Sequence, residues 1–121
     1  DEMQILFKNK AQADFFTTLY SRIRKYGAIP TGITQNVETL AAVEEGRKLL
    51  SNSEFMILLK QKPQDLAVLK DIVNLTDKQI RYLARPKAKG TGLIVAGPIV
   101  VPFENPIPKH SKLYDLVATD A

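Results

Sequence analysis

Apolar residues recur at helical spacing over 11–26, where Phe15, Phe16, Leu19, Tyr20 and Ile23 share a face, with Asp14 in the early turns and Arg22, Arg24 and Lys25 in the last. This predicts an amphipathic helix whose end charges complement its dipole. Gly27 suits the left-handed residue that closes such a helix. Ile29, Thr31, Ile33 and Gln35 then alternate as one face of a short strand over 29–35, and Asn36 is a good N-cap for the next helix. Leu40, Val43, Leu49 and Leu50 mark that helix over 37–50, with Arg47 and Lys48 near its end and Gly46 as a point of weakness or bending.

Residues 51–53 form a polar turn, and 54–60 has the unbroken apolar centre of a strand buried on both faces. Pro63 fits the first turn of the next helix, whose stripe is Leu66, Leu69, Ile72 and Val73. Thr76 and Gln79 frame a capping box ahead of a short helix carrying Ile80 and Leu83, which Arg85-Pro86 ends. A basic glycine-containing loop over 87–92, a strand over 93–96, a Gly97-Pro98 turn and a partner strand over 99–103 predict a hairpin. Pro102, Pro106 and Pro108 give an extended connector, and 111–119 a last helical turn or two. Strands alternating with helices before a hairpin argue for an α/β fold with a largely parallel sheet and a short antiparallel addition. Phe15, Phe16 and Phe55 are expected in the core rather than as a stacking platform.

The totals fit one globular domain with a real core: 121 residues, 45% hydrophobic and 25% charged. The absence of cysteine removes disulfides, thiol nucleophiles and thiolate metal sites, and fits a reducing compartment. His110 is the single histidine, so a histidine-rich metal site or a histidine-based triad has too few imidazoles; in its proline-flanked connector it reads as surface. No apolar run in this sequence is long enough to span a bilayer, and none of its segments reads as a signal peptide. The net charge of +4 mildly favours anionic partners, but the basic residues are scattered as on an ordinary solvated surface. The Lys87–Gly90 run is accordingly read as a basic turn.

Candidate chemistry concentrates at three places. A strand that ends in a polar side chain just before a helix puts that side chain at the carboxyl edge of a sheet, where open α/β folds bind ligands. Gln35 is therefore the first candidate, although capping the helix at Asn36 is a compatible local role. Asp1 and Glu2 precede an apolar run; alone, such a pair reads as a solvated terminus. With no methionine at its start, the chain is expected to be a piece of a longer protein. Arg22 and Arg24 either match a helix dipole or reach a neighbouring subunit.

The order of these residues resembles a known family. The Asp1-Glu2 pair, the helix end from Tyr20 through Arg22, Arg24, Lys25 and Tyr26 to Gly27, the run Ile29-Pro30-Thr31-Gly32-Ile33-Thr34-Gln35-Asn36-Val37-Glu38, the Leu50-Ser51-Asn52-Ser53-Glu54-Phe55 segment, the Val101-Pro102-Phe103-Glu104-Asn105 segment, Pro108-Lys109 and Lys112-Leu113-Tyr114 are similar to the C-terminal part of the VirB-four (TraC/TraE-like) ATPases of conjugative type IV secretion. The match covers nearly the whole chain, and the Thr-Gly-Ile-Thr-Gln-Asn and Ser-Asn-Ser-Glu-Phe segments together make it specific.

The resemblance implies a partial RecA-like P-loop ATPase domain spanning 1–121, with a mostly parallel sheet, flanking helices and the C-terminal hairpin. Asp1-Glu2 would end the Walker B strand. Asp1 would hold Mg²⁺ through its water shell, Glu2 would polarise the attacking water, and Gln35 would hydrogen-bond near the γ-phosphate of ATP, since phosphoryl transfer is catalysed mainly by positioning and charge compensation. An arginine finger would come from Arg24 or Arg22, Arg24 being favoured. No Gly-x-x-x-x-Gly-Lys-[Ser/Thr] occurs, so the Walker A strand and its phosphate cradle are expected upstream, and the fragment alone is expected to be inactive. The implied partners are other subunits of a ring, a hexamer by resemblance, components of the secretion channel, and DNA, with the protein at the cytoplasmic face of the bacterial membrane. An alternative from another class is a non-catalytic docking or DNA-binding module, and a third possibility is a DNA-translocase domain of the related pumping ATPases.

Overall fold

Local capping explains where most elements begin. In the computed structural model, which describes residues 2–118, a 3-10 helix over Met3–Phe7 leads to Asn9, whose side chain accepts from the amides of Ala11 and Gln12 and so opens α1 (Lys10–Ile23). The chain tightens into a 3-10 turn over Arg24–Tyr26 and ends at Gly27, whose φ of 71° is the left-handed conformation glycine adopts without a Cβ penalty. Asn36 caps α2 (Val37–Ala41) through the Thr39 amide. α3 (Glu44–Asn52), β1 (Phe55–Leu58) and α4 (Pro63–Val73, with proline in its first turn) come next. Thr76 and Gln79 complete the expected capping box of α5 (Asp77–Ala84). β2 (Thr91–Ala96) and β3 (Ile99–Glu104) form the expected hairpin, turned by Gly97 at φ 56°, and α6 (Lys112–Val117) closes the described chain.

The sheet has the order β1-β2-β3 and is antiparallel throughout, with Ile57 opposite Ile94 and Ile94 opposite Val101. The expected largely parallel sheet is thus not formed among the described residues. Its second strand, expected over 29–35, is irregular here. A strand needs a ladder, and the one backbone hydrogen bond that 29–35 makes to another described segment runs from Met3 to Ile33. Its apolar face is also uncovered, with Ile29 90% exposed.

Two further expectations are corrected. The helix over 37–50 divides at Ala42-Val43, not at Gly46: Val43 is extended, so α3 folds back until Gly46 lies against the Leu40 carbonyl. β1 is buried on one face only. Met56 and Leu58 point inward, while Phe55 and Ile57 are 61% and 59% exposed, because nothing described packs on that side. Phe15 is exposed as well; Phe16 half-buries against the core, edge-on to Phe15.

The interior consists of two clusters. One gathers Val37, Leu58, Leu66, Leu69, Leu75, Leu83, Leu93 and Val95 between α4, α5 and the inner sheet face. The other gathers Met3, Phe7, Ala13, Leu40 and Leu49 between the N-terminal segment, α1 and α3. α2 contributes Val37 to the first and Leu40 to the second, and Leu50 packs against both. The short helix after Gln35 is therefore the joint between the two halves of the core.

Candidate functional site

The N-terminal residues and the segment before α2 meet along a narrow seam. The Met3 amide donates to the Ile33 carbonyl at 2.9 Å. Gly32 leaves room for the side chains at this seam: a Cβ on it would lie 2.2 Å from the Met3 sulfur and 2.9 Å from the Tyr20 hydroxyl unless those side chains moved. Burial raises the Tyr20 pKa above its ordinary value by disfavouring the phenolate.

Side chains continue the seam outward. The Gln4 amide donates to the Glu2 carboxylate, and the Gln4 carbonyl accepts from the Thr34 hydroxyl at 2.6 Å. The Thr34 hydroxyl in turn accepts from the Asn36 amide at 3.2 Å, and the Asn36 side chain accepts from Thr39 at 3.0 Å. Glu2 is thus linked through Gln4 to the residues on either side of Gln35. Glu2 itself sits at φ 52°, a left-handed conformation that costs a non-glycine residue roughly 1–2 kcal/mol and is concentrated at functional sites. Gln35 is exposed, and its side-chain amide bonds to no described residue.

Of the expected site residues, Glu2 joins the seam through Gln4, and Gln35 stands in the chain between Thr34 and Asn36, which take part in it, without a hydrogen bond of its own to it. Asp1 lies outside the described residues. Arg22 stands in the last turn of α1 and Arg24 in the 3-10 turn after it; both are exposed, and neither side chain pairs with a described residue. Among the described residues no group of three His, Asp or Glu side chains could cage a metal. Magnesium is compatible with so sparse a donor set, since it keeps several waters and takes one or two carboxylates together with phosphate oxygens. No helix among the described residues is long and apolar enough to cross a membrane.

Three residues in and beside the seam escaped sequence reasoning. Gln4 and Thr34 are ordinary polar residues whose pairing spans thirty positions, so no local pattern marks them. Asp65 reads as one more acid in the first turn of a helix, yet it is buried and accepts from the Glu38 amide at 2.8 Å.

No family model and no curated protein sequence matches the chain. Among solved structures it is similar to VirB4 of Thermoanaerobacter pseudethanolicus, with 30% identity and a TM-score of 0.81 over 89% of this chain. The chain spans 30% of that protein's length. The likeness supports a relation to VirB4.

Proposed function

We propose that the chain is a C-terminal portion of a VirB4-like ATPase that powers type IV secretion, carrying half of a nucleotide site completed by a phosphate loop elsewhere in the longer protein. The observation that carries this reading is the seam joining Glu2 through Gln4 to the residues flanking Gln35, in a chain similar to VirB4 over most of its length. In this reading a strand ending at residues 1–2 and the segment 29–35 are neighbours in the RecA-like parallel sheet of the longer protein.

The chemistry assigned to each residue derives from charge. The Glu2 carboxylate accepts a hydrogen bond from the attacking water and orients it. The uncommitted Gln35 amide donates toward the γ-phosphate, where negative charge has to be held in place. Asp1 holds Mg²⁺ of the bound ATP through water. Arg24, or less favourably Arg22, reaches across to the neighbouring subunit of a ring. DNA and channel components are the partners proposed, at the cytoplasmic face of the membrane.

In the longer protein, Glu2→Gln is expected to retain ATP binding and to lose turnover. Failure of that protein to bind ATP, or unchanged turnover in Glu2→Gln, overturns the proposal. A second reading, a docking module without catalysis, draws on the uncovered apolar face formed by Phe55, Ile57, Ile99 and Val101. ATP binding by the longer protein separates the two.

A further inference from the structure

Asp65 is 4% exposed, yet no described cation pairs with it. Burying a carboxyl group without a hydrogen-bond partner is unfavourable, so the bond it does make matters. It stands in the first turn of α4, and its Oδ1 accepts from the Glu38 amide in the first turn of α2, 27 residues away in sequence, at 2.8 Å. An acidic side chain in the first turn of one helix that accepts from an amide in the first turn of another ties the two helix starts together, and a bond to a carboxylate is stronger than one between neutral groups.

What this bond fixes is a direction. α2 has five residues, too few to hold a helix by its own hydrogen bonds, so its orientation comes from anchors outside it. Val37 and Leu40 seat it in the two core clusters, and Asp65 and Asn36 divide its first amides between them, Glu38 to the one and Thr39 to the other. Gln35 lies immediately before this turn and has no side-chain partner among the described residues. Its aim is therefore set by the backbone on either side: the Thr34 end held by Gln4 and the Glu38 end held by Asp65.

We propose that Asp65 is a positioning residue for Gln35, clamping the first turn of α2 so that the Gln35 amide leaves the chain in one direction. The inference rests on the reading of Gln35 as a phosphate-facing residue. It predicts that Asp65 influences turnover only through Gln35.

The test is a double-mutant cycle in the longer, ATP-hydrolysing protein. Gln35→Ala and Asp65→Ala are each expected to lower kcat at least about tenfold, since misplacing a catalytic group by an ångström can cost about 10²-fold, with the nucleotide Kd unchanged. The double variant should turn over no more slowly than Gln35→Ala. Asp65→Asn, which keeps an acceptor for the Glu38 amide, should restore most of the activity. Amide exchange over residues 34–40 should quicken in Asp65→Ala and not in Asp65→Asn. If Asp65→Ala fails to fold, Asp65→Ser, which keeps a polar group but shortens its reach, is read in the same way. Wild-type kcat in a folded Asp65→Ala or Asp65→Ser variant, or losses that multiply in the double variant, overturns the positioning role while leaving Gln35 intact. Wild-type turnover in Gln35→Ala overturns both readings.

Discussion

Gly32 and Met3 occupy one another's space: a Cβ on the glycine would sit 2.2 Å from the methionine sulfur, one residue from the Met3–Ile33 hydrogen bond. Gly32→Ala should therefore destabilise the chain. Stiffening the unfolded chain favours alanine by about 0.4–1 kcal/mol, but overpacking against a buried side chain costs about 1–3 kcal/mol, and the second effect wins. The flexible Met3 side chain can yield, so Met3→Ala should relieve part of the strain. In chemical denaturation the double variant is expected to be more stable than the sum of the two single losses predicts; strict additivity would show that the contact is not what excludes a side chain.

Gly46 gives the opposite of its helix propensity. Replacing an interior helical glycine by alanine ordinarily gains about 1 kcal/mol. Here the new Cβ would lie 2.0 Å from the Leu40 carbonyl oxygen, a backbone atom that cannot step aside without moving α2 against α3. Gly46→Ala is thus expected to lower the midpoint of thermal unfolding, and a raised midpoint would mean that α2 and α3 can separate at little cost.

The two faces of the sheet should respond differently to the same change. Ile57→Thr and Val101→Thr keep a β-branched residue in the strand while removing apolar surface from the uncovered side, so they are expected to leave the midpoint nearly unchanged and to reduce self-association in sedimentation experiments. Leu93→Thr, on the buried side, puts a hydroxyl among Leu58, Leu69 and Leu83 and should destabilise by at least about 2 kcal/mol. Equal effects on both faces would contradict the one-sided burial.

These cases mark what could be read from the sequence. Caps and turns were legible because their determinants are local: Gly27, Asn36, Pro63, the Thr76–Gln79 box and Gly97 each act within a few residues. What depends on a distant neighbour was not. The 29–35 segment has the alternation of a strand, but alternation reports a preference, and the ladder has to come from elsewhere in the chain. The apolar centre of β1 likewise indicated two covered faces where one is covered. At the candidate site Glu2 and Gln35 were visible as residue types in a familiar order, whereas Gln4, Thr34 and Asp65 acquire meaning only through contacts 27 or 30 positions away.

The 121-residue chain by itself is expected neither to bind ATP tightly nor to hydrolyse it. Tight holding of the β- and γ-phosphates needs a run of backbone amides with a lysine, and no such loop is encoded here. Calorimetry with Mg-ATP should give no saturable heat in the micromolar range. Turnover by the purified chain that vanishes in Glu2→Gln would show that the phosphate site lies within it.

The basic end of α1 offers a last test, directed at neighbouring subunits. Arg22 and Arg24 are exposed and unpaired with any described residue, so each can reach a group outside the chain without first breaking an ion pair. They stand two residues apart across the junction of the helix and the 3-10 turn and so leave the chain on different sides, which lets one neighbour meet only one of them. Arg24 is the better candidate because it lies in the 3-10 turn beyond the regular helix, beside the Gly27 exit that leads toward Gln35. An arginine that reaches a phosphate across a subunit boundary can be worth about 10³ or more in rate. In the longer protein Arg24→Ala should lower turnover by a large factor while ATP binding stays nearly unchanged. Mixing it with Glu2→Gln subunits should restore part of the activity, because some interfaces then combine an intact Glu2 with an intact Arg24. Unchanged turnover in both Arg22→Ala and Arg24→Ala, with the assembly intact, would leave these arginines as charges that complement the α1 dipole.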